Sequence, residues 1–303
     1  MKRTPLIVNP TAGQGGPARR QEALDQFCRL MKARSVEIEI RPTAGPGDAS
    51  RLAAAVAKEG FPEVIVSGGD GTINEALQGL VGSKVRMAIW PRGTANVLGR
   101  ELGLPRKLDK LADTIAAGKV QRTYVGCATI ESTGQQRYFL LMAGIGLDAA
   151  IVDCVRPELK KRFGKAAFWY SGLQNLTNWK PKPFTIEVDG QNYSATFAAL
   201  GKTPRYGGDL AITPGARLDR PEFEICLIHS TRRMRYLQLL PCAMFGGVPA
   251  GMKEVSFLSA TKVRASGDGV LVQVDGELLG ALPMSFSVTP HVLEVVTNVS
   301  ACL

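Results

Sequence analysis

The stretch Val64-Ile65-Val66-Ser67-Gly68-Gly69-Asp70-Gly71-Thr72-Ile73-Asn74-Glu75 decides the fold. Three β-branched apolar residues in a row read as a buried strand. Three glycines and an acid follow, and Thr72 to Leu80 then reads as a helix. Glycines after a buried strand let the backbone approach an anion closely. The helix that follows offers free amides and the positive end of its dipole to phosphate. Asp70 is suited to holding a magnesium ion that bridges phosphate oxygens. A plainer reading is a strand–turn–helix capped by Thr72, with Glu75 completing a capping box. It accounts for Thr72 and Glu75 but not for three glycines with an acid, a string expected by chance in about one chain in several thousand.

Outward from this loop, residues 1–118 alternate between strand and helix patterns. Thr4 to Val8 reads as a strand that ends at Asn9-Pro10-Thr11-Ala12-Gly13-Gln14-Gly15-Gly16. Pro17 to Ala33 is helical, with Ala23, Leu24, Phe27 and Leu30 on its apolar face. Val36 to Ile40 is a strand and Asp48 to Lys58 a helix. Met87 to Trp90 is a further strand, followed by a turn over Pro91 to Thr94 and a helix through about Leu102. This is the pattern of an open, mainly parallel sheet, whose ligands bind at the carboxyl ends of strands. All three glycine loops, after Val8, Val66 and Trp90, fall at such ends.

Beyond about Val120 short strands dominate: Tyr124 to Glu131, Arg137 to Met142, Phe184 to Asp189, Tyr193 to Leu200, Phe223 to Ile228, Lys262 to Ala265, Val270 to Asp275, Met284 to Val288 and Leu293 to Val296. Asp189-Gly190 and Asp275-Gly276 each carry a hairpin signature. One helical stretch, about Ile151 to Leu176, interrupts them. The fold class is therefore an α/β N-terminal nucleotide-binding domain over residues 1–119 plus a β-rich sandwich C-terminal domain over 120–290, with the tail 291–303 expected to pack back on the first.

Composition narrows the function. The 303 residues include 33 glycines, against about 21 at average usage. Lys and Arg number 37 against 27 acids, a net charge of +10 that suits an anionic partner. No basic run has the length of a nucleic-acid arm, so nucleic acid is not expected. Six cysteines without a Cys-x-x-Cys pair, and two histidines, argue against a zinc site and point to a reducing, cytoplasmic setting. The apolar run before Asn9 is too short for a signal peptide. Tyr236 to Met252 carries too much Pro and Gly for a transmembrane helix, so membrane contact is expected to be peripheral. The basic and aromatic stretch Arg156 to Tyr170 fits an anionic lipid surface, or equally an amphipathic helix with a solvated face. Tyr236 to Met252 reads as a lipid-tail pocket or as plain core. A homodimer is left open.

Gly-x-x-x-x-Gly-Lys-Ser/Thr occurs nowhere, which excludes the P-loop class. Instead, Asn9-Pro10 with Gly13, Gly68 to Glu75 and Pro91-Arg92-Gly93-Thr94-Ala95-Asn96 resemble the diacylglycerol kinase catalytic domain family, which includes bacterial lipid kinases and sphingosine kinases. Gly144-Ile145-Gly146-Leu147-Asp148-Ala149, Gly207-Gly208, Pro214-x-Ala216 and Asp275-Gly276-Glu277 continue the match in the family's order. The resemblance implies ATP bound between an α/β domain and a β-sandwich lipid domain, with the hydroxyl of a diacylglycerol-like or sphingoid lipid as acceptor. It implies that Asn9, Pro10, Gly13, Thr43, Gly68, Gly69, Asp70, Gly71, Thr72, Asn74, Glu75, Gly93, Thr94 and Asn96 form the ATP site and that Asp70 also serves magnesium. Asp275 or Glu277 would accept the proton of the lipid hydroxyl. Asp275-Gly276 alone is equally an ordinary turn.

One segment departs from the family. Bacterial members carry an Asp-Gly stretch after Pro-x-Ala that holds a structural magnesium ion. By this resemblance Asp219 is the candidate ligand for that second metal, but Arg220-Pro221 stands where Asp-Gly is expected, and a cation beside Arg220 is disfavoured. Arg220 paired with a carboxylate is a candidate replacement for that charge. Two other functions stay open: an NAD kinase-like enzyme, which shares the Gly-Gly-Asp-Gly-Thr loop, and a catalytically inactive homologue that binds lipid or nucleotide.

Overall fold

The computed structural model describes residues 2–147, 149, 181–206, 210–232, 234–238, 242, 247 and 251–299. The expected helix at 151–176, the basic and aromatic stretch 156–170 and Gly207-Gly208 lie outside the described residues, as does much of 236–252. The chain divides into two compact units. One comprises 1–125 with 290–303, the other 126–289.

The first unit is built on strands β1 (Lys2–Val8), β2 (Val36–Pro42), β3 (Glu63–Gly68) and β4 (Arg86–Pro91), ordered β2-β1-β3-β4 and all parallel. Its helices are α1 (Pro17–Ala33), α2 (Asp48–Lys58), α3 (Asp70–Leu80), α4 (Val97–Glu101) and α5 (Leu108–Ala117). β3 is buried along its whole length, as expected of a strand covered on both faces. α1 buries Leu24, Phe27 and Met31, and the Phe27 ring stacks on Trp90 with centroids 4.4 Å apart. From β1 the chain runs through α1 to β2 on one flank, then through α2 to β3 on the other. The loops after β1 and β3 therefore part company at a topological switch point, the usual ligand position in such sheets. The sheet is completed from the far end of the chain, where Val295 pairs in parallel with Met87.

The second unit is antiparallel. Six strands run in the order β14 (Val255–Ala260), β13 (Phe223–Ile228), β10 (Phe197–Gly201), β7 (Met142–Gly146), β16 (Leu271–Val274) and β17 (Glu277–Ala281). Facing strands include β8 (Phe184–Val188), β9 (Gln191–Ala195), β15 (Lys262–Ser266) and the first residues of β18 (Met284–Val296). Phe139, Ile186, Leu200, Phe223, Val272 and Phe286 belong to the apolar core they share. Both expected layer types are thus present, an α/β sheet and a β-sandwich.

The structure alters several expected boundaries. α3 begins at Asp70, two residues before the expected start, and is preceded by Gly69 with no side-chain cap, so the Thr72–Glu75 capping box does not form. Tyr193 to Leu200 is not one strand. It breaks at Thr196, with β9 pairing β8 while β10 pairs β7 and β13. Conversely, Met284–Val288 and Leu293–Val296 are parts of one strand, β18.

Candidate functional site

The site in the first unit is made mostly of backbone. At the end of β1 the Asn9 amide donates to the Ser67 carbonyl (2.9 Å), tying the first glycine loop to β3. The Asn9 side chain donates Nδ2–H to Thr72 Oγ1 (3.2 Å), while its Oδ1 accepts from the Thr11 amide (3.0 Å) and hydroxyl (2.8 Å). The Thr43 amide donates to the Val8 carbonyl (2.9 Å), which places Thr43 at the same strand end.

Glycine at 68 and 93 is a packing requirement. A Cβ on Gly68 would stand 2.5 Å from Thr72 Cβ. A Cβ on Gly93 would stand 2.6 Å from the Cα of Gly69, so the second and third glycine loops touch backbone to backbone. The Arg92 amide locks them further by donating to the Gly68 carbonyl (2.7 Å). Asn96, with φ +49°, accepts from the Gly93 amide (2.7 Å) and donates to its carbonyl (2.8 Å).

Asp70 sits in the first turn of α3 and accepts from the Leu98 amide at the start of α4 (3.4 Å). Burial raises its pKa, and the amides of Leu98, Val97 and Asn96 oppose the rise. Among the described residues no cluster of three His, Cys, Asp or Glu side chains could cage a metal. A nucleotide-bound magnesium ion does not need one: it keeps several waters and takes one or two carboxylates plus phosphate oxygens. Asp70 fits that requirement as the carboxylate of the glycine loops.

Arg92, between Trp90 and Gly93, belongs to the same loops. Its guanidinium lies 4.8 Å from the centre of the Trp90 ring, and a Cβ on Gly13 would be 2.8 Å from its Nη2. Burial, then the neighbouring Arg20, lower its pKa. A half-buried cation held beside another cation at a glycine loop favours an anion there. The motif displayed Arg92, but only the folded loop shows it turned toward Gly13. The remaining expected residues sit less centrally. Pro10, Gly71 and Thr94 are exposed, Glu75 is half-buried, and buried Asn74 accepts from Gln78 Nε2 (3.2 Å) within α3.

The second unit carries the other expected carboxylates. Asp275 and Gly276, with φ +47° and +86°, form the two-residue turn between β16 and β17. Asp275 Oδ1 accepts from the amides of Leu141 (2.9 Å) and Met142 (3.0 Å), and Oδ2 from that of Leu140 (2.9 Å). Glu277 pairs with Arg137. Nothing in the sequence signals that pair, since the partners are 140 positions apart. Asp219 lies on a different loop, paired with Arg217 through Nε–Oδ1 (2.9 Å) and Nη2–Oδ2 (2.7 Å).

Glycine loops at a switch point thus mark one unit, and a carboxylate hairpin in an antiparallel sandwich marks the other. Residues 3–128 match the diacylglycerol kinase catalytic domain, and residues 142–297 match the YegS C-terminal NAD kinase beta sandwich-like domain. A diacylglycerol kinase of Mycobacterium tuberculosis is 31% identical over 293 residues, 95% of this chain and 93% of that protein. One from Bacillus subtilis is 27% identical over 292 residues, covering 94% and 93%. A crystal structure of a diacylglycerol kinase from Bacillus anthracis superposes with a TM-score of 0.74 at 24% identity, over 98% of this chain and 97% of that one. A second crystal structure from the same strain reaches 0.78 at 26%, with the same coverage. The chain belongs to the diacylglycerol kinase family and is, at that level, a lipid kinase.

Proposed function

We propose that this protein transfers the γ-phosphoryl group of ATP to the hydroxyl of a diacylglycerol-like or sphingoid lipid, with magnesium. The observation that carries the reading is the set of three interlocked glycine loops around Asp70 at the switch point of the first sheet. Phosphoryl transfer asks mainly for positioning and charge neutralisation. Backbone at Gly68, Gly69 and Gly93 leaves room for phosphates, with Asn9, Thr43, Thr72, Thr94 and Asn96 around them. Arg92 adds positive charge at the Gly13 loop. Magnesium, when bound, neutralises phosphate charge, and Asp70 is the residue that would hold it. In the second unit the Asp275-Gly276-Glu277 hairpin supplies the acceptor for the lipid hydroxyl's proton.

The +10 net charge supports peripheral contact with an anionic membrane, where such a lipid is found. Among the described residues no helix is long and apolar enough to cross a membrane.

The test is an ATP-turnover assay with extracted lipids, the phosphorylated product being identified by mass. Lipid-dependent ADP release with a phospholipid product supports the reading. NAD-dependent release would replace it with an NAD kinase, and nucleotide binding without turnover with an inactive homologue. Asp70→Asn keeps an oxygen for the Leu98 amide, so the variant should fold while turnover falls by about 10²–10³.

A further inference from the structure

The loop over residues 213–222, after β12 (Leu210–Ala211), turns several of its carbonyls inward onto one side chain. That side chain is Lys202, at the end of β10, with 0% of its surface exposed. Its Nζ donates to the carbonyls of Arg217 (3.4 Å), Arg220 and Glu222 (3.0 Å). Three N–H donors meet three carbonyls, the full donor complement of an ammonium group. Burial lowers its pKa to about 8, and the carboxylates of Glu222 and Asp219 oppose that. Lys202 is fixed at its root as well, its own amide donating to the Leu141 carbonyl (2.8 Å).

Inward-turned carbonyls beside a carboxylate are the ligand set of a hard cation such as magnesium or calcium. The residues present do not suit one. Arg217 occupies both oxygens of Asp219, and Arg220 lies 3.7 Å from Glu222 Oε1, so these two carboxylates already face guanidinium groups, while a third, Glu224, accepts from the loop's Gly215 amide (2.7 Å). A divalent ion would meet two arginines and an ammonium within one short loop, at a large electrostatic cost.

We propose that the Lys202 side chain is a tethered replacement for a structural cation: its ammonium organises the 213–222 loop, which therefore keeps its shape without a metal ion. Arg220 does pair with a carboxylate, its guanidinium 3.7 Å from Glu222 Oε1, while its carbonyl serves Lys202. This goes beyond the kinase reading and does not depend on it.

The test uses the full chain and reads thermal midpoint and bound metal. Wild-type protein should contain no stoichiometric metal by elemental analysis, and its midpoint should not move with chelator or with added magnesium. Lys202→Met should lower the midpoint by roughly 5–15 °C, because buried carbonyls lose their donors. Lys202→Ala leaves space for a small ion, so ammonium or methylammonium salts should restore part of its midpoint in a saturable way. Tetramethylammonium at equal ionic strength should not. Asp219→Asn should change the midpoint little, as for an exposed ion pair. A chelator-sensitive wild type holding one metal per chain would overturn the proposal. So would a Lys202→Met variant as stable as wild type, or a Lys202→Ala variant indifferent to ammonium. Should neither Lys202 variant accumulate, the wild-type metal count and chelator response decide.

Discussion

The second unit contains two Asp-Gly hairpins that are nearly the same turn. Asp189-Gly190 joins β8 to β9, and Asp275-Gly276 joins β16 to β17. Their φ angles agree closely, +49° and +78° in the first against +47° and +86° in the second. The backbone is therefore set by the same local chemistry, a two-residue turn that needs the left-handed region twice. The carboxylates differ. Asp189 is exposed, whereas Asp275 is drawn in and accepts from three consecutive amides at Leu140, Leu141 and Met142. Turn formation and the use of the side chain are thus separable, and only the second hairpin has been given more to do than turn.

Substitutions can break or sharpen this contrast. Asp275→Asn replaces one acceptor oxygen with a donor facing backbone amides. It should abolish most turnover and cost about 1–3 kcal/mol of stability, read by denaturant unfolding. Glu277→Gln should also lose turnover in the lipid assay. Its pair with Arg137 is half-exposed, so the melting curve should shift by less than about 1 kcal/mol. Nucleotide binding should survive in both variants, and full activity in both would remove the hairpin from the mechanism. Gly276→Ala and Gly190→Ala should each cost about 1 kcal/mol, because each forces a side chain to positive φ. Unequal costs would show that the two turns are not equivalent after all. Asp189→Asn should lie within about 0.5 kcal/mol of wild type and leave activity unchanged.

Local chemistry also explains what could be read in advance. Helix α2 and strand β13 run over the stretches their periodicity indicates, and the glycine loops fall where strand ends and turn residues put them. The failures arise where distant partners decide. Thr196, a β-branched residue, fits a strand running from Tyr193 to Leu200, yet its amide donates to the Ile228 carbonyl (2.8 Å) and its hydroxyl meets Tyr236 (2.6 Å). Those contacts turn the chain from one sheet of the sandwich to the other, as such corners do. Met284–Val288 and Leu293–Val296 read as separate strands, but β18 runs through Pro290, pairing with β15 before it and with β4 after it. Within the candidate site, Asp70 and the glycines could be named from spacing. Arg137, Lys202 and the amides of 140–142 could not, since their roles exist only once residues far apart in the chain have met.

The strand β18 has a consequence for how the molecule is made. Its last residues complete the sheet that the first residues began: Val295 lies beside Met87, the Thr297 amide donates to the Lys119 carbonyl (2.9 Å), and the Thr297 hydroxyl donates to that of Leu102 (3.0 Å). A ribosome delivers these residues only after the whole of the second unit. Until they emerge, the edge of β4 stays open, and the unit translated first must wait for the one translated second before it can close.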